Sequence, residues 1–161
     1  MRVRTTVAIA AVTAAVAGGA APAAAQASKT CTWGGTPAAP TGVTTNGGIT
    51  NVPSPVPLRF RASGALGGDC RGRMRFIGQM DAGSSCALID FEGRVEGLPG
   101  VAWFVGTSAM GVAPARLYDS RGKLVGSENA QFLTNSNLTD CSTPRGLRRV
   151  AFSSVIERRR S

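Results

Sequence analysis

Asp90 and Glu92, in the segment ALIDFEGRV at 87–95, are the first residues to ask for chemistry. Two positions apart on an extended chain, their carboxylates leave the same face with Cα atoms about 7 Å apart. Paired carboxyls at such a separation are what glycoside hydrolysis requires. The competing role is structural: a tight hairpin sets the pair opposite Arg73 and Arg75, and facing opposite charges contribute about 0.2–1 kcal/mol each. The structural role is preferred, so Arg61, Arg73 and Arg75 are expected to form a surface ladder with Asp90 and Glu92. Arg59, Arg61, Arg71, Arg73 and Arg75 recur at alternate positions within two segments. Such a stripe can hold an anionic group, or it can be a solvated sheet face that blunts aggregation. If the ladder carries a ligand, its contacts are Arg61, Arg73, Arg75, Asp90 and Glu92, joined by Trp33. Trp33 is expected to be exposed on a polar arm beside Cys31, whereas Trp103 is expected in the core.

Other chemistries are excluded by residue type. Gly106-Thr107-Ser108-Ala109-Met110-Gly111 resembles a nucleophile elbow, but its second glycine comes one residue late. The elbow also needs a strand-to-helix turn and a histidine, and the chain has no histidine at all. That removes Ser-His-Asp and Cys-His catalysis together with the usual zinc sites. There is no P-loop, dinucleotide fingerprint or calcium loop, so neither a metal nor a cofactor is implied.

Arg71–Gly106, which carries Asp90, Glu92 and the nearer arginines, reads as three antiparallel strands joined by two turns. Gly72, Met74, Phe76 and Met80 fall on one face, with Arg71, Arg73 and Arg75 on the other. In the next strand Ala87, Ile89, Phe91, Gly93 and Val95 alternate with Leu88, Asp90, Glu92 and Arg94. This is the period-2 pattern of half-buried strands. Gly97-Leu98-Pro99-Gly100 supplies turn residues before Val101–Val105, which is apolar on both faces. Leu58–Ser63 alternates before them. Ala115–Tyr118 and Lys123–Gly126 flank a hairpin turn at Asp119–Gly122. The pattern weakens through 127–134, and Leu147–Glu157 alternates as a closing strand. Residues 32–57 are rich in Gly, Pro and Thr and resist helix; they read as an extended arm or a loosely paired first strand, with Asn46-Gly47-Gly48 able to close a small hairpin. About eight short strands with turns every 8–12 residues make the domain all-β, and short connections favour a meander. An up-and-down barrel is preferred over a β-sandwich, because closure removes exposed edges. The polar face of such a barrel could line a lumen, but the apolar set fits the core better.

The first 27 residues have the character of a bacterial signal peptide: Arg2 and Arg4, an apolar run from Val7 to Ala17, and small residues up to Ala27. The run is too short to span a bilayer, as is every later one. Ser28-Lys29-Thr30 is no lipobox for Cys31, so secretion to the exterior is expected. The β domain is placed at 58–157 and a basic tail at 158–161. Loss of Arg2 and Arg4 lowers the formal charge of +9 by two, and three further charges are Arg158-Arg159-Arg160. That balance, with few aromatics, does not point to nucleic acid.

All four cysteines follow the leader, and an even number in an exported chain argues two disulfides. An extended Arg71–Met80 separates Cys70 from Cys86 by about 30 Å at ~3.3 Å per residue. That is far beyond the reach of a disulfide, for which Cα atoms lie about 4.4–6.8 Å apart. Following the meander, Cys86 and the 135–146 loop share one end of the domain, which predicts Cys86–Cys141. Cys31–Cys70 is then left for the other end.

The expected function is that of a secreted, non-catalytic binding or cell-envelope-associated module, its partner a small molecule or an anionic envelope polymer. The alternative is a cofactor-free barrel enzyme of isomerase or lyase type. Such an enzyme needs an enclosed apolar pocket with a carboxylate or Tyr118 at its base.

Overall fold

The alternation of β-branched, aromatic and small residues with arginine and acidic residues has one low-energy outcome, a sheet with one face dry. Closing that sheet satisfies its edges. The computed structural model describes residues 28–34, 41–132 and 138–159. The expected signal peptide, residues 135–137 of the long loop and Arg160 lie outside them.

Nine strands are described: β1 Lys29–Gly34, β2 Thr41–Ile49, β3 Leu58–Gly68, β4 Arg73–Met80, β5 Leu88–Glu96, β6 Trp103–Ala109, β7 Val112–Tyr118, β8 Leu124–Phe132 and β9 Leu147–Arg158. From β3 to β9 each strand pairs antiparallel with the next. The gap between β9 and β3 is filled by β1 and β2 end to end. Trp33 pairs with Leu66 and Ser154, and Val43 pairs with Ala62 and Val150. The two short strands therefore share one position, and the result is a closed eight-position barrel. The Gly/Pro/Thr-rich segment is the strand that closes it. Asn46-Gly47-Gly48 forms an irregularity within β2 instead of a hairpin of its own. A Cβ at Gly48 would run into the Arg145 carbonyl, so only glycine lets the β9 approach pass this close.

The interior holds the expected apolar set. Met74, Leu117, Ile156 and Cys31 are its largest fully buried side chains, and Phe60, Phe76, Phe104 and Phe152 belong to the same core cluster. The β6–β7 connection is a two-residue turn at Met110-Gly111, both with positive φ, shorter than the loop expected over 107–113. At 119–122 the expected turn is present, with Asp119 Oδ1 accepting from the Arg121 and Lys123 amides at 2.8 and 2.9 Å. Those N–H groups hold the Asp119 carboxyl below its ordinary value.

Both expected disulfides are present, Cys31–Cys70 with Cα atoms 5.2 Å apart and Cys86–Cys141 at 6.1 Å. The first closes the end of the barrel where β1 begins; there Asp69 and Thr30 also bond reciprocally, at 2.9 and 3.0 Å. The second closes the opposite end and ties the β4–β5 turn to a short 3-10 helix, Leu138–Ser142. Residues 50–54 form a strap across that end. Its amides and carbonyls bond Cys86, Ser84, Gly83 and Cys141 at 2.7–3.0 Å. Arg158, expected in a solvated tail, is the last residue of β9, and its guanidinium donates to the Pro99 carbonyl at 2.5 Å.

Candidate functional site

Inside the barrel the two halves of the wall differ. On β3, β4, β5 and β6 the inward positions carry Phe60, Phe76, Phe91 and Phe104, whose rings form a contiguous aromatic cluster. Opposite, toward the Cys86–Cys141 end, β7 and β8 present Ala113, Ala115 and Ala130, with Ser108 of β6 and Ser154 of β9 beside them, while Leu117 fills the other end of β7 and Phe132 closes β8. Small side chains on one wall cannot reach the rings on the other. They leave a cavity of about 70 Å³ in the half of the barrel nearer the Cys86–Cys141 end. That is room for about five waters or one compact apolar group. Gly106 shapes the same region, because a Cβ there would strike the Phe91 ring.

Among the residues lining this cavity Glu128 is the one titratable side chain. It belongs to β8, between Ala115 of β7 and Ile156 of β9, and is 7% exposed. Burial among alanines and rings pushes its carboxyl up from its ordinary 4.5 to about 7; the hydroxyl of Ser154, donating to Oε1 at 2.5 Å, pulls weakly the other way. The group is therefore close to half-ionised at neutral pH. Trp33 lines the same cavity, its ring set edge-on to Phe152 with centroids 4.9 Å apart. Among the described residues its buried indole N–H has no hydrogen-bond partner. A donor and a carboxyl thus border one apolar space. An entering group with a single polar atom could be oriented there, and a proton given or taken at Glu128.

The residues singled out from the sequence lie mostly elsewhere. Arg61, Arg73, Arg75, Asp90 and Glu92 are all on the outer face. The expected ladder has different partners, because the β4–β5 connection is longer than a tight hairpin. Gln79 faces Glu92, and its amide donates to that carboxylate at 3.4 Å. Arg75 faces Glu96 and bridges it at 3.5 Å. Asp90 accepts from Thr107 at 2.7 Å. The two tryptophans exchange the places expected of them. Trp33 is buried at 5% exposure because Cys31 and Trp33 occupy the inward register of β1, while Trp103, outward on β6, is 51% exposed. Ser108 lies in β6, buried before a hairpin, without the geometry of a nucleophile elbow.

Glu128 is the residue that strand-pattern reasoning passed over. A signal for it exists: in LVGSENAQF the outward set is Ser127, Asn129 and Gln131, which leaves Glu128 on the inner face with Gly126, Ala130 and Phe132. Among the described residues no helix is long and apolar enough to cross a membrane. Compared with protein-family models, with curated proteins and with solved structures, the chain matches none of them.

Proposed function

We propose that the protein is a secreted binding barrel whose interior takes up a compact, largely apolar molecule, or the end of a longer one, through a single polar group held by Glu128. The supporting observation is a carboxyl buried in an apolar cavity with, among the described residues, one hydrogen-bond partner. A buried carboxyl costs stability unless it is satisfied, and the aliphatic residue that would pack more favourably there is not what β8 carries. The unpartnered Trp33 N–H adds a second polar handle. Two disulfides fit an oxidising compartment, and with the leader-like residues 1–27 they support release to the exterior.

The test is a native mass-spectrometry screen of the mature protein against compact apolar amines, alcohols and their hydrocarbon counterparts. Amines or alcohols should bind more tightly than the hydrocarbons. Glu128→Leu should remove that preference, by about tenfold or more for a lost buried polar contact. Ala130→Leu, which fills the cavity, should abolish uptake of both. Binding that ignores both substitutions would refute the proposal. A second reading rests on the elevated titration of Glu128, which suits a general acid or base of a cofactor-free isomerase or lyase. Glu128→Gln separates the two, since it keeps the shape and an acceptor oxygen but cannot transfer the proton.

A further inference from the structure

The outer face carries a second arrangement, independent of the interior. Register lines up Thr44, Arg61, Ile77, Arg94 and Trp103 as direct neighbours on β2 to β6. One pleat away, Arg59, Gln79, Glu92 and Val105 form a parallel row. Between the rows runs the backbone of 60, 78 and 93, whose side-chain positions point inward. The rows therefore flank a shallow groove of about 720 Å³, with Ile77 on its floor and Trp103 at one end.

Its charge is unbalanced. Among the described residues the ion pairs are Arg75–Glu96 at 3.5 Å and Arg94–Glu96 at 3.4 Å, both on one carboxylate. Among the described residues neither Arg59 nor Arg61 has a carboxylate within 4.0 Å, so two unpaired guanidinia, and that of Arg94 on its shared Glu96, border the groove beside the carboxylate of Glu92. Neighbouring strands lie about 4.8 Å apart, which puts Arg61 and Arg94 about 10 Å from each other and Trp103 one strand beyond.

We propose that this groove binds an extended acidic glycan. A pyranose ring would stack its C–H face on the exposed Trp103 indole. Carboxylates or sulfates along the chain would meet Arg94, Arg61 and Arg59, whose planar forks suit two-point contacts. Glu92, Gln79 and Thr44 offer acceptors and donors to sugar hydroxyls. Single-stranded nucleic acid suits the groove less well, because it uses several aromatic platforms and the exposed aromatic lining this groove is Trp103.

Fluorescence anisotropy of a labelled decagalacturonate at physiological ionic strength provides the test. The wild-type protein should bind it, with dextran failing to compete. Trp103→Ala, which changes no charge, should weaken binding about tenfold, as should Arg59→Ala with Arg61→Ala. Removing two charges on the other side of the barrel, Lys29→Ala with Arg159→Ala, should change it less than about twofold. Melting curves of each variant establish that the fold is intact, since all five residues are exposed. The proposal falls if the probe does not bind, or if the Lys29 and Arg159 pair weakens binding as much as the groove pair. It falls equally if Trp103→Ala has no effect, or if a labelled oligothymidylate binds more tightly than the uronate. Arg59, Arg61 and Trp103 do not line the interior cavity, so a negative result leaves the interior site untouched.

Discussion

Replacing Glu128 by glutamine perturbs the interior without changing its shape. In the folded protein the carboxyl titrates at about 7, against an ordinary 4.5. Folding therefore takes up a proton between those values. Glu128 is neutral in both states below about pH 4.5, costs progressively more as pH rises to about 7, and costs a constant amount above that. The gap corresponds to about 3 kcal/mol, since each pH unit between the two titrations is about 1.4 kcal/mol. Glutamine brings its own penalty, because only its oxygen inherits the Ser154 hydroxyl and the new amide N–H groups have no assigned acceptor; a buried unsatisfied group costs about 1–3 kcal/mol. That penalty does not depend on pH. The diagnostic is thus a slope: the stability of Glu128→Gln relative to wild type should rise by about 3 kcal/mol between pH 4 and pH 8. In a chain of this size that is a relative shift of about 10 °C in Tm. Thermal melts of both proteins across the range measure it, and titrations elsewhere, such as Asp119, cancel in the difference. Parallel curves would mean that Glu128 is solvated and would remove the basis for the interior site.

Met110 takes a positive φ of 49° at a turn tip while 94% exposed, so Met110→Gly should stabilise the fold by about 1 kcal/mol in a urea melt. Gly97 combines a φ of +84° with a Cβ direction blocked by the Arg73 carbonyl; Gly97→Ala should cost about 3 kcal/mol or prevent folding, read by the same melts. Replacing Cys86 and Cys141 together by serine opens a link across 55 residues and should lower stability by about 2–4 kcal/mol, while non-reducing peptide mapping of the wild type should recover Cys31–Cys70 and Cys86–Cys141. Glu96→Gln removes both surface bridges, whose partners are well exposed, and should shift stability by no more than about 1 kcal/mol.

Much of the barrel is legible in single residues because side chains alternate along a strand wherever no bulge intervenes. Once Met74, Phe76 and Met80 point inward, Arg73 and Arg75 must point outward, whatever the rest of the chain does. The disulfides follow from the same logic at larger scale. Each strand carries the chain from one end of the domain to the other, so counting strands assigns Cys86 and Cys141 to one end and Cys70 to the opposite end. The interior site was within reach of that alternation too, since the polar run Ser127, Asn129 and Gln131 turns Glu128 inward. A carboxylate amid weak alternation is, however, easily taken for the solvated face.

What alternation by itself determined, then, was the class of fold, the inner and outer sets, and which cysteines could meet. The closed structure alone decided which residues stand beside each other. A longer β4–β5 connection moved Arg75 from the expected aspartate and glutamate to Glu96 without exposing any core residue, since an even displacement keeps every side chain on its face. Closure through β1 drew Trp33 from a nominal arm into the core, because β9 and β3 both lacked a partner at that position. The cavity around Glu128 exists because aromatic residues on β3–β6 and small ones on β7–β8 meet across the barrel. Side chains that distant in sequence touch only when the sheet closes on itself, and local pattern carries no record of that distance.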